Sequence, residues 1–168
     1  MKKDMRSERL MRVDWDAPRS LDAILELADR EHDFGIYQVY GAHVVFGSDA
    51  LLYIGKARDQ TFRARFEQHK AKWLRFESDV RIRVGRLHAD SYKGKKADPT
   101  WSDWKKAIDC VEELTIYWHS PPYNSKSIVG YRNDAIRVQN WYHRGRLLPE
   151  YSSPSGWEPI RPDDRQER

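Results

Sequence analysis

The sequence is short of several things, and each shortage removes a class of protein. Cys110 is the one cysteine in 168 residues, so neither an internal disulfide framework nor a cysteine-built zinc site is open to the chain. No apolar run is long enough to span a bilayer, and Met1-Lys2-Lys3-Asp4 leads into more charge rather than the apolar core of a signal peptide. The six histidines are scattered, without the close spacing of a histidine metal motif. These absences fit a reducing, cytoplasmic setting, and a hydrophobic content of 39% gives a polar surface. A chain of this length can still bury one real core.

What is present is basic charge, and it is concentrated. The net charge is only +4. Residues 56–75 nevertheless carry Lys56, Arg58, Arg63, Arg65, Lys70, Lys72 and Arg75 against Asp59 and Glu67. Arg81, Arg83, Arg86, Lys93, Lys95, Lys96, Lys105 and Lys106 follow. A central basic band of this kind suits a polyanion, a nucleic-acid backbone above all.

Hydrophobic periodicity divides the chain into an arm, a main domain and an extension. Residues 1–12 are so charged that a loosely attached arm is expected. Ser20 then caps a short helix over residues 21–30, with Leu21, Ile24, Leu25 and Ala28 on one stripe. Apolar runs at 35–40 and 51–54 flank Gly47-Ser48-Asp49-Ala50 and read as a β-hairpin with a long connection, holding an extended first strand or a bulge. A helix is expected over 60–76, with Phe62, Phe66 and Trp73 on one side and Arg65, His69 and Lys72 on another. Val80-Arg81-Ile82-Arg83-Val84 alternates as a half-buried strand, its arginines guarding a sheet edge or surface, or reaching phosphates. Residues 89–99 read as an exposed loop. A long helix is expected over 101–119, capped by Thr100, with Trp104, Ile108, Val111, Thr115 and Trp118 inward. Strands at 135–141 and 147–150 flank a turn at His143-Arg144-Gly145, and the chain from Ser152 has the composition of a flexible tail. The divisions are therefore 1–32 (arm and short helix), 33–126 (main domain), 127–151 (strand-pair extension) and 152–168 (tail). The fold class is α/β, of the α+β kind: a small, mostly antiparallel three-stranded sheet flanked by helices.

The order of short motifs in the main domain carries a resemblance. Gly35-Ile36-Tyr37 is followed by Tyr53-Ile54-Gly55-Lys56, by Arg65-Phe66-Glu67-Gln68-His69, and later by Glu112 ahead of Pro121-Pro122-Tyr123-Asn124. This pattern resembles the GIY-YIG nuclease family and covers residues 35–124. The fifteen residues between the two tyrosines exceed the family's usual connection. The resemblance implies a metal-dependent endonuclease acting on DNA, with RNA possible, that leaves a 5′-phosphate and a 3′-hydroxyl. A homodimer is one way for such a site to cut both strands.

Cutting a phosphodiester needs a deprotonated water, neutralised phosphate charge and a stabilised leaving oxygen. Glu112 lies beside the apolar stripe of its helix, and an inward carboxylate needs either a cation or an ion-pair partner. The residues alone leave those two readings even; the resemblance favours Mg²⁺ or Mn²⁺, completed by waters and substrate phosphate. It also implies that Arg65 clamps the scissile phosphate, with Arg63 as the competing arginine. Tyr37 is implied to help activate water with Lys56, and Tyr53 to share the cleft. His69 is implied to carry a proton or bind phosphate, and Asn124 to order the site by hydrogen bonds. Arg58, Arg63, Lys70 and Lys72 are the expected nucleic-acid contacts. A nucleic-acid-binding module without turnover, or a subunit of a DNA-processing complex, is the alternative reading.

Overall fold

The computed structural model describes residues 9–28, 33–88, 101–131, 136–142 and 151–152. In chain order these form β1 (Arg9–Trp15), α1 (Leu21–Leu25), β2 (Gly35–His43), β3 (Gly47–Ala57), α2 (Phe62–Lys72), a 3₁₀ turn at Leu74–Phe76, β4 (Arg81–His88), α3 (Trp101–His119), β5 (Ile136–Trp141) and β6 (Tyr151–Ser152). The fold is α+β. One six-stranded sheet runs in the order β3-β2-β4-β1-β5-β6. It is mixed, because β1 pairs parallel to β5 while the other pairings are antiparallel.

The expected three antiparallel strands are present as β3-β2-β4, but they are only half of the sheet. The correction comes from both ends of the chain. The charged segment expected to hang loose supplies β1, an internal strand between β4 and β5. Its inward residues Met11, Val13 and Trp15 are buried at every second position. Between them Arg12 and Asp14 pair with each other at 2.6 Å, so the charge belongs to the other face of a buried strand. The Trp15 indole then donates to the Asn140 side chain at 2.8 Å, tying β1 to β5. The C-terminal pair is also part of the sheet. Tyr151 and Ser152 pair with Gln139 and Val138, whereas the strand expected at 147–150, the turn at 143–145 and the tail from 153 lie outside the described residues. So do the loop at 89–99, the Thr100 cap and residues 29–30 of the first expected helix.

Alternation along β2 sends its side chains to opposite faces. Ile36 packs with Ile108, Val111 and Leu114 of α3 and with Met11 and Val13. Tyr37 and Val39 pack with Ile24 of α1 and with Phe62 and Phe66 of α2. One face is thus covered by α3 and the other by α1 and α2. Each of these fully buried large side chains contributes on the order of 1.5–3 kcal/mol relative to exposure. The helices start where side-chain caps allow: Ser20 Oγ accepts from the Ala23 amide at 3.2 Å, and Thr61 Oγ1 accepts from the Ala64 amide at 3.2 Å.

Two local expectations change. The hairpin turns at residues 44–46, not at 47–50, which belong to β3; register shifts between Val39/Tyr40 and Gly41/His43 absorb the extra length. The strand at 81–88 is not an edge, since β2 and β1 flank it. Its arginines are taken up internally: Arg81 pairs with Asp49, Arg83 donates to the Asp16 carbonyl at 3.2 Å, and Arg86 bridges Asp16 and Asp33. Among the described residues no helix is long and apolar enough to cross a membrane.

Candidate active site

The motif residues gather around β3, an edge strand of the sheet. An edge strand leaves alternate backbone groups without a partner. Here the turn after α3 supplies one. The Tyr123 amide donates to the Leu52 carbonyl at 3.0 Å. Asn124 then meets Ile54 twice, accepting from its amide at 2.9 Å and donating to its carbonyl at 2.8 Å. Asn124 therefore fixes the strand between Tyr53 and Gly55, far from being only a turn residue after two prolines.

On the α2 side of the edge, Tyr37 and Tyr53 lie with ring centroids 6.2 Å apart. Tyr37 is fully buried and Tyr53 half-buried. Their closeness requires Gly55, because a β-carbon there would overlap the Tyr37 hydroxyl and the Tyr53 ring. Gly35 is needed for a related reason: its φ is +154°, and a β-carbon would run into the Gly85 carbonyl. Arg65 reaches across from α2, donating from Nε to the Tyr37 hydroxyl at 3.3 Å and from its terminal nitrogen to Gln68 at 3.1 Å. It favours the ionised form of Tyr53 as well. Arg63 instead points to Glu67 at 3.3 Å on the exposed face. Of the two arginines, Arg65 is the one at the tyrosines.

His69 is buried, not a surface histidine. The Trp73 indole N–H donates to its Nδ1 at 2.9 Å. An indole nitrogen can only donate, so Nδ1 must be the unprotonated nitrogen and Nε2 must carry the hydrogen. The 2.5 Å contact between Nε2 and the Tyr37 hydroxyl is then a donation from histidine to phenol. Burial, helped by Arg65 and Lys72, pushes the His69 pKa down to about 4, which keeps the ring neutral. With both nitrogens engaged, His69 sits as a fixed donor to Tyr37. The Tyr37 oxygen thus accepts from His69 and Arg65, and Tyr37 favours the ionised form of Tyr53. Burial, reinforced by Tyr53, nevertheless raises the pKa of Tyr37 well above the ordinary tyrosine range.

On the α3 side of the edge, Lys56 does not meet Tyr37. Its ammonium pairs with Glu112 at 2.5 Å and with Asp109 at 2.8 Å. The cation beside Tyr37 is Arg65, because Tyr37 and Lys56 leave the sheet on opposite faces: Tyr37 lies opposite Gly55 and Lys56 opposite Ile36. Burial raises the pKa of Glu112 despite the opposing pull of Lys56. Its carboxylate in turn raises both tyrosines, so the two halves of the site share one field. Asp109 also accepts from Arg58 at 2.6 Å, and Arg58 and Lys105 both pair with Asp59.

Asp109 and Trp73 were not singled out as site residues from the sequence, although the spacing held the signal. Asp109 precedes Glu112 by three residues and Trp73 follows His69 by four, so each shares its partner's helix face. Among the expected nucleic-acid contacts, Arg58 and Arg63 are held in the ion pairs just described and Lys70 lies 3.8 Å from Asp22. Lys72 makes no ion pair among the described residues.

The donor chemistry near Glu112 fits a hard divalent cation held by few protein ligands. Glu112 and Asp109 present oxygens on one helix face and already hold a cation, the Lys56 ammonium, between them. No group of three or more histidine, cysteine, aspartate or glutamate side chains converges among the described residues, so water and substrate would complete the shell.

No family model matches the chain, and neither does any curated protein or solved structure.

Proposed function

We propose that the chain is a metal-dependent endonuclease of GIY-YIG type acting on DNA. The observation that carries the reading is the meeting of Arg65 with two packed tyrosines, in the field of a half-buried carboxylate, Glu112, on the neighbouring helix. The motif order set out above supplies the reaction class. Arg65 is the phosphate clamp, since its planar fork stays charged and is anchored at Tyr37 and Gln68. Tyr53 is the outer, half-buried phenol and faces the attacking water. Tyr37 and His69 act behind it, holding Arg65 and Tyr53 in place. Glu112, with Asp109 beside it, would hold Mg²⁺ or Mn²⁺, and Lys56, which pairs with both carboxylates, would lie close enough to meet the substrate phosphate. Bound there, the cation would acidify a water and neutralise phosphate charge. The products are a 5′-phosphate and a 3′-hydroxyl, and paired cuts in a duplex come from two copies of the chain.

One observation favours a second reading. Glu112 is already neutralised by Lys56, as it would be in a nucleic-acid-binding module that does not turn over. Divalent-metal-dependent nicking of supercoiled plasmid, lost in Glu112→Ala, supports the nuclease. Binding to DNA without products under Mg²⁺ or Mn²⁺ supports the module.

A further inference from the structure

The aromatic rings of the site continue beyond Tyr53. Tyr53 meets Trp73 with centroids 5.7 Å apart, Trp73 meets Tyr123 at 5.7 Å, Tyr123 meets His43 at 6.1 Å, and His43 stacks on Phe46 at 4.9 Å. These five rings come from four separate parts of the chain: β3, the end of α2, the turn after α3, and the β2–β3 hairpin. The row leads from the candidate site to the hairpin tip, where it ends in the open. Tyr53, Trp73 and His43 are half-buried, while Tyr123 is 42% exposed and Phe46 64%. Core packing accounts for the inner rings. It gives no reason for Phe46, which lies beside the still more open Val44 and Val45.

We propose that this row is a track for unpaired bases, along which a single nucleic-acid strand leaves the candidate site. The inference rests on the nuclease reading and specifies its substrate: DNA that is single-stranded or splayed next to the scissile phosphate. Ring faces stack on bases of any sequence, while basic side chains follow the backbone. Two basic residues neighbour Trp73 in the chain, and one acid, Glu77, accepts from the Tyr123 hydroxyl at 3.1 Å. Lys72 adjoins Trp73, and the Arg75 guanidinium lies 4.5 Å over the Phe76 ring close by in the chain. Neither Lys72 nor Arg75 forms an ion pair among the described residues. A paired duplex hides its base faces and has no use for such a row.

Fluorescence anisotropy tests this directly, with labelled oligothymidylate and a blunt duplex titrated with the full chain in chelator, so that no cleavage intervenes. The single strand is expected to bind tighter than the duplex. Phe46→Ala and Tyr123→Leu should each weaken single-strand binding about fivefold or more, leave duplex binding within about twofold, and leave thermal unfolding of the Phe46 variant unchanged. Phe46→Trp should restore affinity. Equal affinity for the two DNAs, no binding of the single strand, or variants that bind it like wild type would overturn the track. The two readings fail separately. Metal-dependent plasmid nicking with no single-strand preference removes the track and keeps the nuclease. Ring-dependent single-strand binding with no cleavage keeps the track and removes the nuclease.

Discussion

Acid should unlock the site through His69. The ring is neutral in the folded chain because burial holds its pKa at about 4, whereas in the unfolded chain it returns to the ordinary histidine value of 6.5. Above that value both states carry a neutral imidazole and the group contributes no pH dependence. As pH falls from about 6.5 toward 4, the unfolded chain takes up a proton that the folded chain refuses, so stability falls through that window and levels off below it. The interval corresponds to at most about 3 kcal/mol, a large share of a small domain's total stability. His119 is half-buried, and desolvation lowers its pKa to about 4 as well, so wild type should lose stability at both histidines. Chemical denaturation from pH 7.5 to 3.5 measures the sum, and His69→Asn should reduce its slope between pH 6.5 and 4. Proton and ¹⁵N NMR of the ring resolve His69 itself: Nε2 protonated, no titration above about pH 5. Trp73→Phe keeps an aromatic ring but removes the donor to Nδ1. That hydrogen bond favours the neutral form, so its loss should move the His69 pKa upward and release the tautomer. A wild-type His69 that titrates near 6.5, or that carries its hydrogen on Nδ1, would refute the donor arrangement at Tyr37.

Gly55→Ala forces a β-carbon against the Tyr37 hydroxyl and the Tyr53 ring. It should cost about 1–3 kcal/mol in denaturant unfolding and abolish any activity even where the fold survives; wild-type stability would show that the two rings are free to part. Asn124→Ala strips the Ile54 amide and carbonyl of their partners at the sheet edge. The expected loss is about 1–3 kcal/mol, with faster hydrogen exchange at the Ile54 amide, and unchanged exchange there would contradict the edge-tying role.

How much was legible in the sequence depended on how local the signal was. The β2–β3 hairpin, α2 and α3 could be read because their apolar positions repeat within a few residues. The bounds of α3 at Trp101 and His119 coincide with the periodic stretch and its stop before Pro121-Pro122. β1 was hidden because it follows a highly charged stretch, Arg12 and Asp14 interrupt its apolar residues, and its period-two pattern of Met11, Val13 and Trp15 is short. Its parallel partner β5 lies more than a hundred residues away in sequence, and no local pattern announces such pairing. Within the site, motif order brought out Tyr37, Tyr53, Arg65, Glu112 and Asn124, which do gather around β3. It did not reveal which cation faces which acid. That assignment depends on the sheet face each side chain leaves from: Lys56 went to Glu112 and Asp109, and Arg65 to the tyrosines.

The central claim is that Arg65 and Glu112 form the two halves of one hydrolytic site. The most direct measurement is cleavage of supercoiled plasmid by the full chain with Mg²⁺, Mn²⁺ or chelator, comparing wild type with Glu112→Ala, Arg65→Ala and Arg63→Ala. The account predicts metal-dependent nicking or linearisation by wild type. Glu112→Ala and Arg65→Ala should be at least about a hundredfold slower, as expected when a transition-state charge partner is removed, while Arg63→Ala stays within a few-fold of wild type. Full activity of Glu112→Ala, or a greater loss with Arg63→Ala than with Arg65→Ala, would contradict it.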